Sequence, residues 1–211
     1  MRKNPTSQIK AFTLVELLVV ITILAILMGI ILPALSSVVF KSQEKVCQVD
    51  ISQIEIALKS YNSDFRDFPP STVKALGLKE ENNINSGNEA LVLCLSSNLK
   101  TDTYYEFKDD NLENTDLDSS PVPLKTLTGS VFSTRDLLEV TDAWGNPYVY
   151  FHYRDLNSKT EQNYQINGAI QKAKPFAGKS KTGNFPGYGK YQIMSLGKDG
   201  TTGTEDDIRS K

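Results

Sequence analysis

The chain has 211 residues, of which 23 are Lys or Arg and 25 are Asp or Glu, giving a formal net charge of -2. This length suits one modest globular domain with an appended segment. Because there is no basic excess to neutralise a run of phosphates, nucleic acid is not expected as a partner.

The N-terminal segment changes abruptly in polarity. Residues 1–11 are polar and include three basic side chains, whereas no charged residue occurs between Glu16 and Lys41. About 24 uncharged residues form a helix of roughly 36 Å, which exceeds the hydrocarbon core of about 30 Å. We therefore predict a transmembrane and assembly helix over residues 12–40. The basic residues before it predict a cytoplasmic N-terminus, with the rest of the chain outside the inner membrane.

Two simpler explanations exist for this segment. An ordinary secretory signal also has a basic start and an apolar stretch, but its apolar stretch is expected to be shorter. A plain single-pass anchor leaves Glu16 unexplained, because an ionised carboxylate deep in a membrane costs at least about 2.5 kcal/mol. Glu16 is therefore treated as a functional residue.

The run AFTLVEL at residues 11–17 resembles the prepilin cleavage and methylation motif of type IV pilins and type II secretion pseudopilins. The resemblance implies that a prepilin peptidase cuts between Ala11 and Phe12 and methylates the new amine. Residues 1–11 are then a leader peptide, and Glu16 is the fifth mature residue. Ala11 departs from the glycine that this family normally carries before the cut.

The resemblance assigns two residues to filament assembly. Glu16 is expected to pair with the N-terminal amine of a neighbouring subunit, so that a buried charge sets the register of the helices. Pro33 stands about where the family's helix carries its proline, and it removes one backbone donor and is expected to kink the helix. A homo-oligomeric filament follows from this interpretation.

After Lys41 the apolar residues recur at spacings of three and four. This period predicts that the helix continues to about Tyr61 with one buried face, so that a single helix runs from about Phe12. The prolines at 69–70 stop the pattern. The residues of the buried face are Cys47, Ile51, Ile54, Leu58 and Tyr61.

Cys47 and Cys94 are the two cysteines of the chain and permit one disulfide at most. A zinc site would need four clustered Cys or His ligands, which two cysteines and one histidine do not supply. A disulfide between Cys47 and Cys94 and a pair of partly buried free thiols both stay open.

The rest of the chain is predicted to form a small antiparallel sheet packed on the amphipathic helix. The fold class is therefore α+β, and the resemblance implies the type IV pilin-like architecture. The patterns predict a helix near 88–99, strands at 104–107, 148–153 and 191–195, a solvated acidic loop at 109–123, a turn at 142–147 and a hairpin around 164–170.

The run at residues 195–208 concentrates carboxylates and glycines. Ca²⁺ takes about six to eight oxygen ligands, and glycines let the backbone bend to present carbonyl groups. The run lacks the alternating ligands and the distal Glu of an EF-hand. Taken alone, it is typical of a solvated turn.

A second resemblance changes that interpretation. The runs DAWGNPY at 142–148, SLGKDG at 195–200 and DDI at 206–208 are similar to the C-terminal half of the major (G-type) pseudopilin family, whose final loop binds calcium. The resemblance implies Ca²⁺ as a cofactor. Its ligands would be Asp199, Asp206, Asp207 and the carbonyl of Leu196, to which we add Thr201. Residues 71–140 and 154–190 exceed the compact family pattern.

No catalytic constellation is evident in the sequence. His152 lies on a predicted aromatic strand without a Ser or Cys partner nearby in sequence, so a hydrolase would have to be built on it alone. Trp144 is interpreted as turn packing and not as a ligand platform. The chain is therefore expected not to be an enzyme.

These inferences lead to a structural hypothesis. Residues 41–211 would form a periplasmic domain, and the subunits would polymerise into a type II secretion-like pseudopilus that supports protein secretion across the outer membrane. The expected partners are the prepilin peptidase, an inner-membrane assembly platform and minor pseudopilins. The alternative is a type IV pilin for adhesion, motility or DNA uptake.

Overall fold

The computed structural model describes residues 12–79, 81–98, 100, 102–129, 132, 134–157, 159–176, 185–187 and 189–210. The chain divides into two compact units, Met1–Ser42 and Gln43–Lys211. The predicted leader at residues 1–11, including Ala11, lies outside the described residues.

A long helix, α1, spans Leu14–Phe65 and confirms the predicted single helix, which ends about one turn later than expected. It stops where Arg66 adopts a positive φ of 60° and two prolines follow in the chain. Two shorter α-helices follow, α2 (Ser86–Leu95) and α3 (Lys125–Thr128), with 3₁₀ turns at Val73–Leu76, Asp109–Asn111 and Tyr153–Asp155.

The described residues form short antiparallel strands in three separate sheets. A two-stranded ladder joins β1 to β2, a three-stranded sheet has the order β3-β6-β7, and β4 and β5 form a hairpin. The strands are β1 (Leu112–Glu113), β2 (Glu139–Val140), β3 (Val149–His152), β4 (Gln162–Ile166), β5 (Ala169–Ala173), β6 (Tyr191–Ser195) and β7 (Ile208–Arg209).

The predicted strands at 148–153 and 191–195 are confirmed as β3 and β6, and the predicted hairpin as β4 and β5. The hairpin turns at Asn167 and Gly168. Their φ angles of 50° and 74° are the left-handed values that both central residues of a type I′ turn require. The pairing of β7 with β6 was not predicted, because this strand lies at the end of the run interpreted as a loop.

The core of the Gln43–Lys211 unit lies on both faces of β3. Because successive side chains of a strand point to opposite faces, Tyr148 and Tyr150 pack toward α1, whereas Val149 and Phe151 pack toward the β4–β5 hairpin. The predicted buried face of α1 is confirmed: Cys47, Ile51, Ile54 and Leu58 are buried, and Tyr61 is partly buried.

The expected strand at 104–107 is wrong. Among the described residues this segment is not assigned to a strand: the Tyr105 N–H donates to the Leu95 carbonyl at 3.0 Å, and its ring contacts Phe107 edge-on with centroids 4.7 Å apart. The aromatic residues of this segment pack against the core and do not pair as a strand.

The expected solvated loop at 109–123 is confirmed only in part, since most of its residues are exposed or half-buried but some are not. It contains the 3₁₀ turn Asp109–Asn111 and β1, and Asp118 and Ser120 are only 3% and 1% exposed. The acidic composition suggested solvent exposure, but several of these polar groups lie against α2 and β2.

Candidate assembly segment and candidate calcium loop

The start of α1 carries a capping box formed by Thr13 and Glu16. The backbone N–H and the hydroxyl of Thr13 both donate to Glu16 Oε2, at 2.8 and 2.9 Å. In return, the Glu16 N–H donates to the Thr13 hydroxyl oxygen at 3.2 Å. This reciprocal pair satisfies donors that the first turn of a helix leaves free. The Thr-x-x-Glu spacing is the sequence signal for this local role of Glu16, which the sequence analysis missed.

Beyond Glu16, the first half of α1 is an exposed apolar rod. Its large apolar side chains between Leu14 and Leu32 are between 45% and 78% exposed. Within the described part of the chain, α1 is the helix long and apolar enough to cross a membrane. A continuous apolar surface of this size requires lipid or neighbouring protein around it. The backbone is helical through position 33, and the Pro33 side chain is not among the described side chains. The kink predicted at Pro33 therefore stays a prediction.

The loop between β6 and β7 brings three of the five predicted calcium ligands together around Thr204. The Thr204 hydroxyl oxygen lies 3.3 Å from Asp199 Oδ1, 3.0 Å from the Thr201 carbonyl oxygen and 2.7 Å from Asp206 Oδ1. One hydroxyl proton cannot serve three acceptors, so oxygen lone pairs outnumber protons here. Sequence reasoning missed Thr204, whose hydroxyl is placed by the loop conformation.

Backbone N–H groups hold the Asp206 carboxylate in this position. Asp206 Oδ2 accepts from the N–H groups of Lys198 and Asp199 at 2.9 and 3.2 Å. Burial opposes its ionisation, but these bonds and the Thr204 hydroxyl outweigh burial and hold the pKa of Asp206 below its ordinary value. Gly197 makes the approach possible, since it has a φ of 65° and a Cβ there would lie 2.5 Å from the Asp206 carboxylate.

The other two predicted ligands have different contacts. Asp207 Oδ2 accepts from the Gly203 N–H at 2.8 Å and pairs with Arg209, whereas its Oδ1 is buried and accepts no hydrogen bond from the described residues. The Leu196 carbonyl accepts from the Gly200 N–H at 3.2 Å. This all-oxygen set, with an unsatisfied buried oxygen on Asp207, has the ligand chemistry that suits Ca²⁺.

His152 lies at a surface groove, which the hydrolase alternative would require. Its Nε2 is 2.9 Å from Asp67 Oδ1, and its Nδ1 accepts from the Arg154 N–H at 3.3 Å. The Ser71 hydroxyl oxygen accepts from the backbone N–H of His152 at 2.6 Å. Because both ring nitrogens are engaged elsewhere, this arrangement offers Ser71 no imidazole base.

Cys47 and Cys94 are both buried free thiols, so the disulfide that the sequence left open is not formed. The Cys94 sulfur accepts from the Tyr61 hydroxyl at 3.6 Å. Tyr61 is about 21 Å along α1 from Cys47 at the usual helical rise, far beyond the Cα separation of about 7 Å that a disulfide tolerates. Burial raises the pKa of Cys94 to about 12, which keeps it in the unreactive thiol form.

Residues 6–32 match the family model described as the prokaryotic N-terminal methylation motif. Searches of curated proteins and of solved structures found no match to the chain. The matched segment contains the run AFTLVEL and the first part of α1, and the α+β architecture agrees with a pilin-like fold. The chain therefore carries the N-terminal signature of the type IV pilin-like substrates of prepilin peptidase.

Proposed function

We propose that this chain is a structural, non-enzymatic subunit of a type II secretion-like pseudopilus. The observation that carries the proposal is Glu16, a carboxylate at the start of an otherwise exposed apolar helix that bears the methylation motif. In this proposal, subunits wait in the inner membrane with the C-terminal domain in the periplasm. An assembly platform and minor pseudopilins then support their polymerisation.

Glu16 can serve its own helix and a neighbouring copy at once. Both Thr13 bonds go to Oε2, so Oε1 is open to an outside donor in the described part of the chain. Cleavage between Ala11 and Phe12 would create a positive amine close to this carboxylate. In a filament, the Phe12 amine of one subunit would pair with Glu16 of the next, which neutralises both charges away from water.

The C-terminal loop would hold Ca²⁺ through Asp199, Asp206 and Asp207, with oxygens from Leu196 and Thr201. A bound ion would neutralise the carboxylates and cross-link the two ends of the loop. The loop joins β6 to β7, so fixing it would stabilise the edge of the three-stranded sheet.

A type IV pilin for adhesion, motility or DNA uptake is the second candidate. The same N-terminal segment would serve that filament, and the motif belongs to both classes. Secretion is favoured by the similarity of the DAWGNPY, SLGKDG and DDI runs to the major pseudopilin family. An outer-membrane secretin and a secretion ATPase encoded beside the gene, together with loss of secreted proteins on its deletion, would support secretion.

Replacement of Glu16 tests the assembly proposal. Glu16→Gln keeps a side chain that completes a capping box but removes the charge. We expect Glu16→Gln and Glu16→Ala to reduce sedimentable filaments at least tenfold in cells that also make the assembly machinery. Filament content is measured by shearing, sedimentation and immunoblotting, with total protein and leader cleavage measured alongside.

Two control variants separate charge from helix capping. Thr13→Ala removes the capping partner and keeps the carboxylate, and Glu44→Ala removes a carboxylate from α1 beyond the apolar stretch. Both should assemble at close to the parental level. Filaments of Glu16→Gln at parental yield, from protein that is fully cleaved, would contradict the proposal.

Chelation tests the calcium loop. For full-length protein in detergent, Ca²⁺ at one hundred times its Kd stabilises the fold by about 2.7 kcal/mol and raises the Tm. Asp206→Asn should show a smaller rise in Tm with Ca²⁺ than the parent, because this loop would no longer bind the ion. Glu205→Gln, an exposed carboxylate beside it, should keep the full rise. The loop assignment fails if Asp206→Asn and Glu205→Gln respond to Ca²⁺ equally.

A further inference from the structure

Three carboxylates from separate elements converge outside the C-terminal loop. Glu89 lies on α2, Asp116 follows β1, and Glu139 begins β2, and one oxygen of each lies within 4.8 Å of the others. Glu89 is 1% exposed and Glu139 is fully buried. We call these three residues the buried carboxylate cluster.

Each member of the cluster has a buried oxygen without a hydrogen bond. Glu89 Oε1, Asp116 Oδ1 and Glu139 Oε1 accept no hydrogen bond from the described residues. The other oxygens of two members are anchored: Glu139 Oε2 accepts from the Thr115 N–H at 2.7 Å, and Asp116 Oδ2 accepts from the Asn82 amide at 3.0 Å. In Asp116 and Glu139 one oxygen is thus held by the protein and the second is available to a ligand, as in many metal sites.

The described residues also supply no cation that pairs with the cluster. In the described part of the chain, no Lys, Arg or His makes an ion pair with any of the three carboxylates. Asp118, only 3% exposed, adds a fourth acidic group nearby. Burial of unpaired carboxylates is costly, and proteins usually offset it with a counter-charge, a metal ion or protons.

The geometry and the ligand atoms fit a calcium ion. Ca²⁺ binds oxygen at about 2.3–2.6 Å, so two of its ligands lie at most about 5 Å apart. The 4.8 Å limit on the cluster oxygens falls within that span. The set contains carboxylates without sulfur or imidazole, which disfavours zinc and copper, and Mg²⁺ demands shorter distances and stricter geometry.

We propose that Glu89, Asp116 and Glu139 form a second Ca²⁺ site that ties α2 to the β1–β2 ladder. The site does not depend on the pseudopilus assignment or on the C-terminal loop, because it uses other residues on other elements. Its effect would be structural, since the ion would join three segments that are distant in sequence.

Ion counting on the full-length protein in detergent tests this site. The protein is stripped with chelator, exchanged into CaCl₂, desalted, and its bound calcium measured by elemental analysis. The double variant Glu89→Gln/Glu139→Gln should bind one ion fewer per chain than the parent. Asp110→Asn, an exposed carboxylate of the same acidic stretch, should bind as many as the parent.

The two proposed calcium sites give distinguishable outcomes. If both exist, the parent binds two ions, and the cluster variant and Asp206→Asn bind one each. A parent with one ion, lost in the cluster variant and kept in Asp206→Asn, would support the cluster and refute the loop. A cluster variant that binds as many ions as the parent would overturn the proposal.

Folding of the variants is measured in parallel. Glutamine matches glutamate in shape and is neutral without having to bind a proton, so the double variant should melt in chelator at a Tm no lower than that of the parent. Asp116→Asn, at a half-buried position, is the second variant and should also lose one ion. Retention of the full calcium count by folded Asp116→Asn and by the folded double variant would show that protons alone neutralise the cluster.

Discussion

Glu89 and Glu139 are acidic side chains whose charge the metal-free fold disfavours. Burial is the main cause for both, and the neighbouring carboxylates Asp116 and Asp118 add to it. With Glu139 they raise the pKa of Glu89 far above its ordinary value, and burial with Asp116 raises the pKa of Glu139 as well. In chelator the folded protein therefore holds protons at neutral pH that the unfolded chain releases.

The sign of the resulting pH dependence follows from proton binding. The ordinary pKa of a glutamate is 4.5, so above this pH the folded state binds more protons than the unfolded state. In chelator, the free energy of unfolding should fall as the pH rises from about 5 through about 8, and the Tm should drop by several degrees. The other titratable groups next to Glu139 are Glu89 on α2, Asp116 on the loop after β1 and Tyr164 on β4, and Asp118 on the same loop faces Glu89.

Melting curves between pH 5 and pH 8 in chelator measure this effect. Glu139→Gln should flatten the profile, because the amide does not titrate. Added Ca²⁺ should recover stability at pH 8 more than at pH 5, since bound carboxylates must be deprotonated. A parental Tm that is constant across this range in chelator would contradict the prediction.

At the scale of elements, α2 is held against two strands by Asn88. Its side-chain amide donates to the carbonyls of Val140 and Tyr148 at 2.9 and 2.7 Å, and its oxygen accepts from the Val140 N–H at 2.8 Å. Gly87 lets α2 approach this closely, since a Cβ there would lie 2.6 Å from the Tyr150 carbonyl oxygen. The Asn88 side chain thus supplies hydrogen bonds to backbone groups of both segments, as a neighbouring strand would.

Asn88→Ala should destabilise the domain strongly. The Val140 carbonyl keeps the Tyr148 N–H as a donor at 3.1 Å, so the change leaves two buried backbone groups, the Val140 N–H and the Tyr148 carbonyl, without their partner. At about 1–3 kcal/mol each, we expect a loss of at least about 2 kcal/mol in the free energy of unfolding. Asn83→Ala, an exposed asparagine that bonds one side chain, should change it by less than about 0.5 kcal/mol. Chemical denaturation of both variants measures the difference, and equal midpoints would refute this role for Asn88.

Elements were predictable where a local pattern defined them. The three- and four-residue spacing of apolar residues predicted α1, and the β-branched and aromatic runs predicted β3 and β6. The aromatic run at 104–107 failed because a strand also needs a partner, and Tyr105 instead bonds to the end of α2. β7 was missed because two residues are too few to carry a period.

For the whole molecule, the N-terminal unit could be understood from sequence alone. Cleavage motif, glutamate and apolar stretch are contiguous, and their chemistry depends on spacing along one helix, so local order suffices. The same holds for the division between an apolar segment and a mixed α+β domain.

Only the tertiary structure decided which distant side chains share an environment. Folding brings Glu89, Asp116 and Glu139 together. It also places oxygens of Asp199, Thr201 and Asp206 around the Thr204 hydroxyl, which the sequence did not indicate. The two cysteines stay unpaired thiols. The physical reason is that a carboxylate's partners depend on how separate elements pack, whereas hydrophobic period and membrane length are properties of consecutive residues. The amino-acid sequence by itself thus determined the long apolar helix and its methylation motif, and packing determined the buried carboxylate cluster.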